Sequence, residues 1–430
     1  MRIIDVKGAL IGRSPVIRIV TDEGVDGFGQ AEWSIPGVIA VVPMFRDLLI
    51  GLDPTDIERC MLAIRRSGGF KPWGAIVSAI DVALHDLVGR YFGVPAYKLL
   101  GGKVRDRVRV YNGGVRPGPG GVGREHYATR GTSPEDYAER MRHIKAADEG
   151  FTIVKEGVAF HDYSIQTTSG LALNDGRTGD NHPNRGPLTP RGLRHIVDCI
   201  RAMKTELGDD IGLALDMGPG WTVSDAIRVM REIEPLGIMW GEDLLSGNFV
   251  PWVHVAEYRE LTRATATPTH TGEQIYLRHN FRELIAQQAV RVIGPEMLDI
   301  GGMAELKWVA EFADLYGIQV APHGVHDGVF GLAALVQVCA TLPDNFIAFE
   351  YPVAEHPWWY DIVTGLPERI VVDGFIEVPD APGLGIEFDR EAASHRLRAE
   401  DAGFFAWPAG VTASRRTAAR RNADPDPIPG

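Results

Sequence analysis

The sequence has few cysteines, no long apolar run and no excess of basic residues. Its 430 residues include three cysteines that lie far apart without CxxC spacing, Cys60, Cys199 and Cys339. This argues against a disulfide framework or a cysteine-rich metal cluster and indicates buried, inert thiols. No apolar run reaches membrane-spanning length. The start, MRIIDVKGALIG, lacks an apolar core with a cleavage site, so we expect a cytoplasmic protein without membrane contact.

Basic residues are outnumbered by acidic ones. The 44 lysines and arginines stand against 57 aspartates and glutamates, which gives a formal net charge of −13. Because phosphate binding needs a basic surface, this balance argues against a nucleic-acid partner. An anionic substrate stays compatible with it, since a bound divalent cation reverses the sign of the charge inside a site.

The pattern of apolar residues changes along the chain. Residues 1 to about 35 show strand and turn signals, and residues 36 to 100 are mainly helical, as in AIVSAIDVALHDLVGRYFG. From about 107 to 350, helical stretches alternate with eight short apolar runs: VRVYN, FTIVKEG, IGLALDMG, GIMWGED, TPTHTGEQ, VRVIGPEML, IQVAPHG and FIAFEYP. This alternation predicts a (β/α)8-type, TIM-like barrel that follows a small α+β unit.

Four regions follow from these patterns. We predict an N-terminal α+β domain over 1–106, a barrel over 107–355, a C-terminal segment of strand and turn signals over 356–400, and a flexible tail over 401–430. Two segments rich in Gly, Asn, Asp and Pro, 113–134 and 159–190, interrupt the barrel. We interpret them as lids or substrate-contacting loops, and the alternative is a pair of passive insertions.

Nearly every apolar run of the barrel ends with an ionisable residue. In chain order these are Lys155, Asp216, Glu242, Glu273, Glu296, His323 and Glu350. From Asp216 onward the intervals are 26, 31, 23, 27 and 27 residues, about one strand, one helix and two loops each. Since the carboxyl ends of barrel strands form one mouth, we predict that these seven groups line one pocket.

Three consecutive predicted strands end in carboxylates, Asp216, Glu242 and Glu273. Carboxylate oxygens from neighbouring strands are the ligands that Mg²⁺ prefers, and the scarcity of Cys and His argues against zinc. Without a cation the three acids would repel and raise one another's pKa values. We therefore predict one Mg²⁺ per subunit, against the alternative that each acid belongs to a separate surface cap.

The order of these groups resembles the mandelate racemase branch of the enolase superfamily. The matching features are Lys on the second strand, Asp, Glu and Glu on the third to fifth, and His on the seventh. SAIDVALHDLVGRYFGVPAYKLLGG is similar to the family's closing helix, GEDL to its metal strand, IGPEMLDIGGMAE to its Gly-Gly turn, and PDAPGLGIEF to the return into its capping domain. The resemblance spans about residues 1–390, and APHG followed by GLAAL looks most like the galactonate-type dehydratases. It implies a modified TIM-like barrel with the catalytic site in 107–355, and an α+β capping domain formed by 1–106 together with the returning segment 356–400.

The resemblance implies a Mg²⁺-dependent sugar-acid dehydratase, a lyase of carbohydrate catabolism. Such an enzyme removes the α-proton of an aldonate or aldarate through a metal-stabilised enediolate and then eliminates water to give a 2-keto-3-deoxy acid. The alternatives are an epimerase, racemase or cycloisomerase of the same fold and, from another class, a barrel that binds a metal or sugar acid without turnover. We expect a homo-oligomer with a small carboxylate substrate.

The resemblance also implies a role for individual residues. His323 is the predicted acid/base, and Glu296 orients its ring, with Asp299 as the alternative for that task. Lys155 neutralises the substrate carboxylate, and Glu350 hydrogen-bonds the substrate when protonated. The second histidine of the APHGVH stretch, His326, and the capping-domain residues Trp33 and Trp73 are further candidates for substrate contacts, although core packing is an equal alternative for both tryptophans.

Two glycines depart from the family pattern. Racemases of this branch carry Lys-x-Lys on the second strand, whereas Lys155 is followed by Glu156 and Gly157. Many sugar-acid dehydratases carry a His two residues after the third-strand Asp, where this chain has Gly218. One-base chemistry is therefore favoured over racemisation. The acid that protonates the leaving hydroxyl remains open between His323, Lys155 and three loop residues, namely His161, Tyr163 and His182.

Overall fold

The computed structural model describes residues 1–32, 36–68, 73–113, 131–162, 164–173, 187–245, 253–324, 328–351 and 358–413. The strands are β1 (Ile3–Ile11), β2 (Ser14–Thr21), β3 (Asp26–Gln30), β4 (Arg107–Asn112), β5 (Ile153–Gly157), β6 (Gly212–Asp216), β7 (Gly241–Glu242), β8 (Thr269–Thr271), β9 (Val292–Ile293), β10 (Gln319–Val320), β11 (Phe349–Tyr351), β12 (Val363–Thr364), β13 (Phe375–Glu377) and β14 (Glu387–Phe388).

The α-helices of the described residues are α1 (Val42–Leu49), α2 (Ile57–Gly68), α3 (Trp73–Phe92), α4 (Ala96–Leu99), α5 (Pro134–Lys145), α6 (Ser164–Thr167), α7 (Pro190–Leu207), α8 (Val223–Glu232), α9 (Val255–Ala264), α10 (Arg278–Ala286), α11 (Met297–Ile300), α12 (Met303–Asp314), α13 (Val329–Cys339), α14 (Trp359–Ile362) and α15 (Arg390–Ser394). Short 3₁₀ helices cover Pro36–Val41, Glu234–Leu236 and Ala399–Asp401. None of these helices combines the length and the apolar character needed to span a bilayer.

Eight strands, β4 to β11, form a parallel barrel. Each pairs with the next in chain order from β4 to β10, and β11 pairs with β4. Backbone hydrogen bonds from Ile347 N to Val320 O and from Glu350 N to Pro322 O, both about 2.9–3.0 Å long, join the β10 side to the β11 side. Helices lie between successive strands, as a parallel sheet requires. The predicted barrel is thus confirmed.

The barrel interior is filled by apolar side chains. One buried cluster comprises Tyr111, Ile153, Ala214, Trp240, Val292, Ala321 and Ala348. Side chains two residues apart on a strand point to the same face. Five of these positions are therefore followed, two residues later, by an ionisable group: Lys155, Asp216, Glu242, His323 and Glu350. The apolar layer closes the barrel beneath them and leaves them at its carboxyl end.

The capping unit packs a helix onto a three-stranded antiparallel sheet, β1-β2-β3. The helix α3 is buried from Gly74 to Arg90. Its backbone approaches β3 closely, because a Cβ atom at Gly29 would overlap the carbonyl oxygen of Ala79. The α+β cap of the prediction is thus confirmed.

The cap is held to the barrel at the Gly-Gly turn that follows β9. The side chain of Asp81 in α3 accepts a hydrogen bond of 2.7 Å from Met303 N, and Ser78 Oγ accepts one of 2.9 Å from Gly301 N. Both glycines of the turn, Gly301 and Gly302, have positive φ values of 114° and 103°. That conformation strongly favours glycine.

The C-terminal segment contacts both units. The strand β13 pairs antiparallel with the barrel strand β4. Arg90 of α3 donates to the backbone oxygen of Ile386, at 2.7 Å, and its guanidinium lies 3.1 Å from Glu387. The predicted boundaries of the domains remain predictions.

The first residues assigned to the flexible tail are packed instead. Phe404 is buried, and the guanidinium of Arg18 in β2 donates to the carbonyl oxygens of Phe404 and Ala406, at 2.7 and 3.1 Å. The same guanidinium lies 4.6 Å from the centre of the Trp407 ring. Residues 404–407 of the predicted tail therefore pack against the capping unit, where backbone carbonyl groups accept hydrogen bonds from a buried arginine. Residues 414–430 lie outside the described residues.

Candidate active site

A buried lysine joins three acids at the carboxyl end of the barrel. Lys155 Nζ lies 2.8 Å from Glu242 Oε1, 3.1 Å from Glu350 Oε2 and 3.4 Å from Asp216 Oδ2. The lysine, Glu242 and Glu350 are almost completely buried. These four residues come from β5, β6, β7 and β11, so the strand-end pattern of the sequence correctly identified residues that lie together.

The charges in this group outweigh the effect of burial. Burial alone would lower the pKa of Lys155, but the carboxylates of Glu242 and Glu350 raise that pKa well above its usual value. Burial would raise the pKa of Asp216, but the adjacent His161 and Lys155 bring it below its usual range. The pKa of Glu242 is likewise lowered, against burial, by His270 and Lys155.

Two residues that the sequence analysis missed hold Glu242. Trp240 Nε1 donates a hydrogen bond of 3.0 Å to Glu242 Oε2, and His270 Nδ1 lies 3.4 Å from the same oxygen. The indole and imidazole rings are stacked, with centroids 5.4 Å apart. A Cβ atom at Gly294 would overlap the His270 ring, so this glycine leaves room for it. Trp240 could have been found from the inward alternation of this run, since it lies two residues before Glu242, whereas the position of His270 depends on the pairing of β8 with β7.

His323 and Glu296 form a second pair on the other side of the acids. His323 Nδ1 lies 2.7 Å from Glu296 Oε2, while Glu296 Oε1 accepts a hydrogen bond of 2.7 Å from Leu298 N. The other ring nitrogen, Nε2, lies 3.4 Å from Glu273 Oε2 and 3.5 Å from Glu350 Oε2. The imidazole is thus held through one nitrogen and presents the other to the mouth of the barrel.

Several groups around this pair have shifted pKa values. Burial would lower the pKa of His323, but Glu273, Glu350 and Glu296 raise it well above its usual value. The pKa of Glu296 is raised by burial, against the opposing effect of His323. Burial also raises the pKa of Glu350, although Lys155 and His323 act in the opposite direction. Perturbed groups of this kind cluster at functional sites.

The remaining candidates are distributed differently. His161 Nδ1 lies 3.0 Å from Asp216 Oδ1, at the edge of the same group. Asp299 is buried in the short helix α11, whereas the ring of His323 contacts Glu296. Trp73 begins α3 and is 38% exposed. Trp33, Tyr163, His182 and His326 lie outside the described residues.

The acids have the donor chemistry of a divalent-cation site. Asp216 and Glu242 occupy paired positions of adjacent strands, and Glu273 follows the next strand. Within the described residues, no three His, Cys, Asp or Glu side chains are arranged so as to hold a metal ion. The carboxylate oxygens of Asp216 and Glu273 are directed to Lys155, His161 and His323 instead. Oxygen donors from three neighbouring strands nevertheless fit a hard cation such as Mg²⁺ by type and position in the fold.

Comparison with known protein families identifies the family to which this barrel and its cap belong. Residues 136–393 match the family model described as enolase C-terminal domain-like, and residues 12–101 match the N-terminal domain of mandelate racemase and muconate lactonizing enzyme. The chain belongs to the enolase superfamily, in its mandelate racemase branch. The resemblance inferred from the motifs is thereby confirmed.

Individual members of the enolase superfamily match nearly the whole chain. A D-xylonate dehydratase from Haloferax volcanii is 32% identical over 93% of this chain and 90% of its own length. A D-galactonate dehydratase from Variovorax paradoxus is 27% identical over 89% of this chain and 90% of its own length. A D-galactarolactone cycloisomerase from Agrobacterium fabrum is also 27% identical, over 88% of this chain and 89% of its own length.

A solved structure gives the same result at the level of the fold. The mandelate racemase/muconate lactonizing enzyme-like protein from Rubrobacter xylanophilus has a TM-score of 0.75 and 30% sequence identity. The match covers 92% of this chain and 97% of that one. The enolase-superfamily architecture of cap and barrel therefore extends over almost the entire chain.

Proposed function

We propose that the protein is a Mg²⁺-dependent hydro-lyase that dehydrates a sugar acid to a 2-keto-3-deoxy acid. The observation that carries the proposal is the contact of 2.7 Å between His323 Nδ1 and Glu296, which leaves Nε2 directed into the mouth beside the acids. A histidine held in this way acts as a base through its second nitrogen. The relatives named as D-xylonate and D-galactonate dehydratases support the same reaction class.

Asp216, Glu242 and Glu273 are the residues that would hold the cation. When bound, Mg²⁺ would supply positive charge next to the substrate carboxylate, which makes the α-proton more acidic. The lysine that contacts Asp216 and Glu242 supplies a second positive charge from the protein itself. Buried charge of this kind is effective because little solvent screens it.

The protein residues then divide the first step between them. His323 Nε2 takes the proton from the α-carbon, and the electron pair of the broken C–H bond moves toward the substrate carboxylate. Glu296 compensates the positive charge that forms on the imidazole, because its carboxylate lies on the opposite nitrogen. Burial raises the pKa of Glu350, which favours a protonated carboxyl group able to donate a hydrogen bond to the substrate.

The hydroxyl group on the neighbouring carbon leaves in the second step. The electron pair returns to form a carbon–carbon double bond as the carbon–oxygen bond breaks, and the hydroxyl group departs as water after it receives a proton. The resulting enol then tautomerises to the 2-keto-3-deoxy acid: the hydroxyl group on C2 loses its proton, and C3 gains one.

A screen of aldonates and aldarates with Mg²⁺ tests the proposal, with semicarbazide detection of the 2-keto product. We expect product from at least one member, D-xylonate and D-galactonate being the first probes. The probes are open-chain acids freed of lactone, because opening of a lactone by elimination also gives a 2-keto acid. An epimerase or racemase would convert such an acid without forming a 2-keto group, so a substrate consumed without semicarbazone would contradict dehydration.

Two variants test the assigned residues on the substrate so identified. His323→Asn is expected to lose exchange of the α-proton with solvent deuterium while it retains substrate binding. Glu242→Gln is expected to lose Mg²⁺ affinity, measured by calorimetry. Full turnover in the first variant, or unchanged Mg²⁺ affinity together with unchanged activity in the second, would mean that the base or the ligand set has been assigned wrongly.

A further inference from the structure

Gly157 marks a missing side chain on the inward face of the barrel. It follows Lys155 by two residues on β5, so a side chain at this position would point into the mouth as that of Lys155 does. Its backbone does not have the positive φ that favours glycine. The reason for a glycine must therefore lie in what occupies the space above it.

The ring of His161 fills that space. A Cβ atom at Gly157 would lie 2.6 Å from Cδ2 of His161, closer than van der Waals contact allows. The loop after β5 turns back over the strand, with His161 N donating to Val158 O at 3.2 Å and Ala159 at a positive φ of 63°. A histidine from the loop thus takes the place of the side chain that the strand lacks.

The position of this ring relative to His323 suggests a division of labour. His161 contacts Asp216, the first acid of the row, and His323 contacts Glu273, the third. The two imidazoles therefore flank the row of acids from its two ends. The His161 side chain is 31% exposed, so its ring reaches the mouth without being sealed into the protein core.

We propose that His161 is the catalytic residue that donates the proton to the leaving hydroxyl group, and that Gly157 has no side chain so that the ring of His161 has room to do so. This inference depends on the proposed dehydration. The proton removed from the α-carbon goes to His323. As the carbon–oxygen bond breaks, its electron pair stays with the hydroxyl oxygen, and the proton of His161 converts that group to water. The α-carbon pair forms the carbon–carbon double bond, so atoms and electrons balance.

The alternative is that His161 only holds Asp216 in place. Three measurements separate the two roles in His161→Asn, which retains a polar side chain of moderate size: dehydration, exchange of the α-proton in D2O, and reaction of a 3-deoxy-3-fluoro analogue. The probe is whichever of D-xylonate and D-galactonate the wild-type protein dehydrates. Fluoride leaves with its electron pair and needs no proton, so the analogue bypasses the acid.

We expect the dehydration rate of His161→Asn to fall by about 10² to 10⁴-fold, the usual contribution of a general acid. Exchange of the α-proton should stay near the wild-type rate, because His323 performs that step. Fluoride release from the analogue should fall less than about tenfold, a loss well below that expected for the hydroxyl substrate. Gly157→Ala should reproduce part of the loss in dehydration, since its Cβ displaces the ring.

His143→Gln is the matched control, because His143 is an exposed histidine on the helix α5. It should leave all three rates unchanged. Equal losses of exchange, fluoride release and dehydration in His161→Asn would overturn the proposal in favour of a role in holding Asp216, and so would normal dehydration. Absence of 2-keto product from the wild-type protein with every sugar acid would overturn the proposed function as well.

Discussion

Individual residues at the mouth of the barrel share their partners of opposite charge. Lys155 serves three acids, and His323 contacts Glu296, Glu273 and Glu350. Each carboxylate is thus only partly neutralised by the protein, although burial makes an unpaired charge costly. A site with this surplus of buried negative charge is suited to a divalent cation, whose affinity rises with the charge of its ligands.

The support of Glu242 by Trp240 gives a prediction at this scale. Trp240→Phe removes the indole N–H that donates to Glu242 Oε2 at 3.0 Å and keeps an aromatic ring against His270. Because residues that orient a metal ligand affect metal affinity, we expect Mg²⁺ binding to weaken by about 10- to 100-fold. Isothermal calorimetry measures this affinity without requiring a substrate.

Trp221→Phe provides the comparison. Its indole N–H is also buried but donates to a backbone oxygen, that of Met217, at 2.9 Å. Both variants remove the same atoms from a buried site, so their losses of thermal stability should be similar. Equal Mg²⁺ affinities in the two variants would show that the Trp240 contact does not orient the ligand.

Secondary-structure elements account for what the sequence predicted well. Apolar runs that end in an acid, Lys or His identified strands whose carboxyl ends meet, and the structure brings Lys155, Asp216, Glu242 and Glu350 together. The contact between Glu296 and His323 also follows from neighbouring strand ends. The alternation of inward and outward side chains along each strand was sufficient to predict that these residues lie close together.

Other features depended on contacts between elements that no local pattern records. His270 lies in the polar Thr-His-Thr sequence of β8, yet it is buried because it stacks on Trp240, the residue just before the neighbouring strand β7. His161 lies in a loop, where no periodicity applies. Residues 404–407 read as a tail, but they pack because Arg18, almost 400 residues earlier, needs acceptors.

The contact of α3 with β3 yields a prediction for the element scale. Gly29→Ala would place a methyl group against the backbone oxygen of Ala79, which cannot move without shifting the whole helix. Overpacking of this kind typically costs about 1–3 kcal/mol, and a rigid backbone neighbour favours the upper end. The free energy of unfolding in urea measures the loss.

Gly37→Ala is the corresponding control. It is exposed, and a Cβ atom there would meet nothing within 4 Å. We expect a change of less than about 0.5 kcal/mol, as for other surface substitutions. If Gly29→Ala were equally neutral, the close approach of helix and strand would not be a constraint on this position.

At the scale of the whole molecule, the position of the cap over the barrel depends on a few buried polar contacts. Asp81 accepts from Met303 N at the Gly-Gly turn and also contacts His85 one helical turn along α3. His85 Nδ1 lies 2.9 Å from Asp81 O and 3.4 Å from Asp81 Oδ2, and the ring is buried. One carboxylate therefore links the protonation of a histidine to the docking of the two units.

This link predicts a pH dependence of stability. Burial would lower the pKa of His85, but the charge and hydrogen bonds of Asp81 raise it above the ordinary value of 6.5. A raised pKa in the folded state means that the protonated form stabilises the fold. This contribution is fully present below pH 6.5 and is lost as the pH rises through the higher, folded-state value.

The advantage of wild type over His85→Gln in unfolding free energy should therefore be larger at pH 6 than at pH 9, as urea titrations at each pH would measure. His279→Gln, which changes an exposed histidine, should show no such trend. A difference between wild type and His85→Gln that stays constant, or grows with pH, would mean that a neutral His85 supports the docking of the cap.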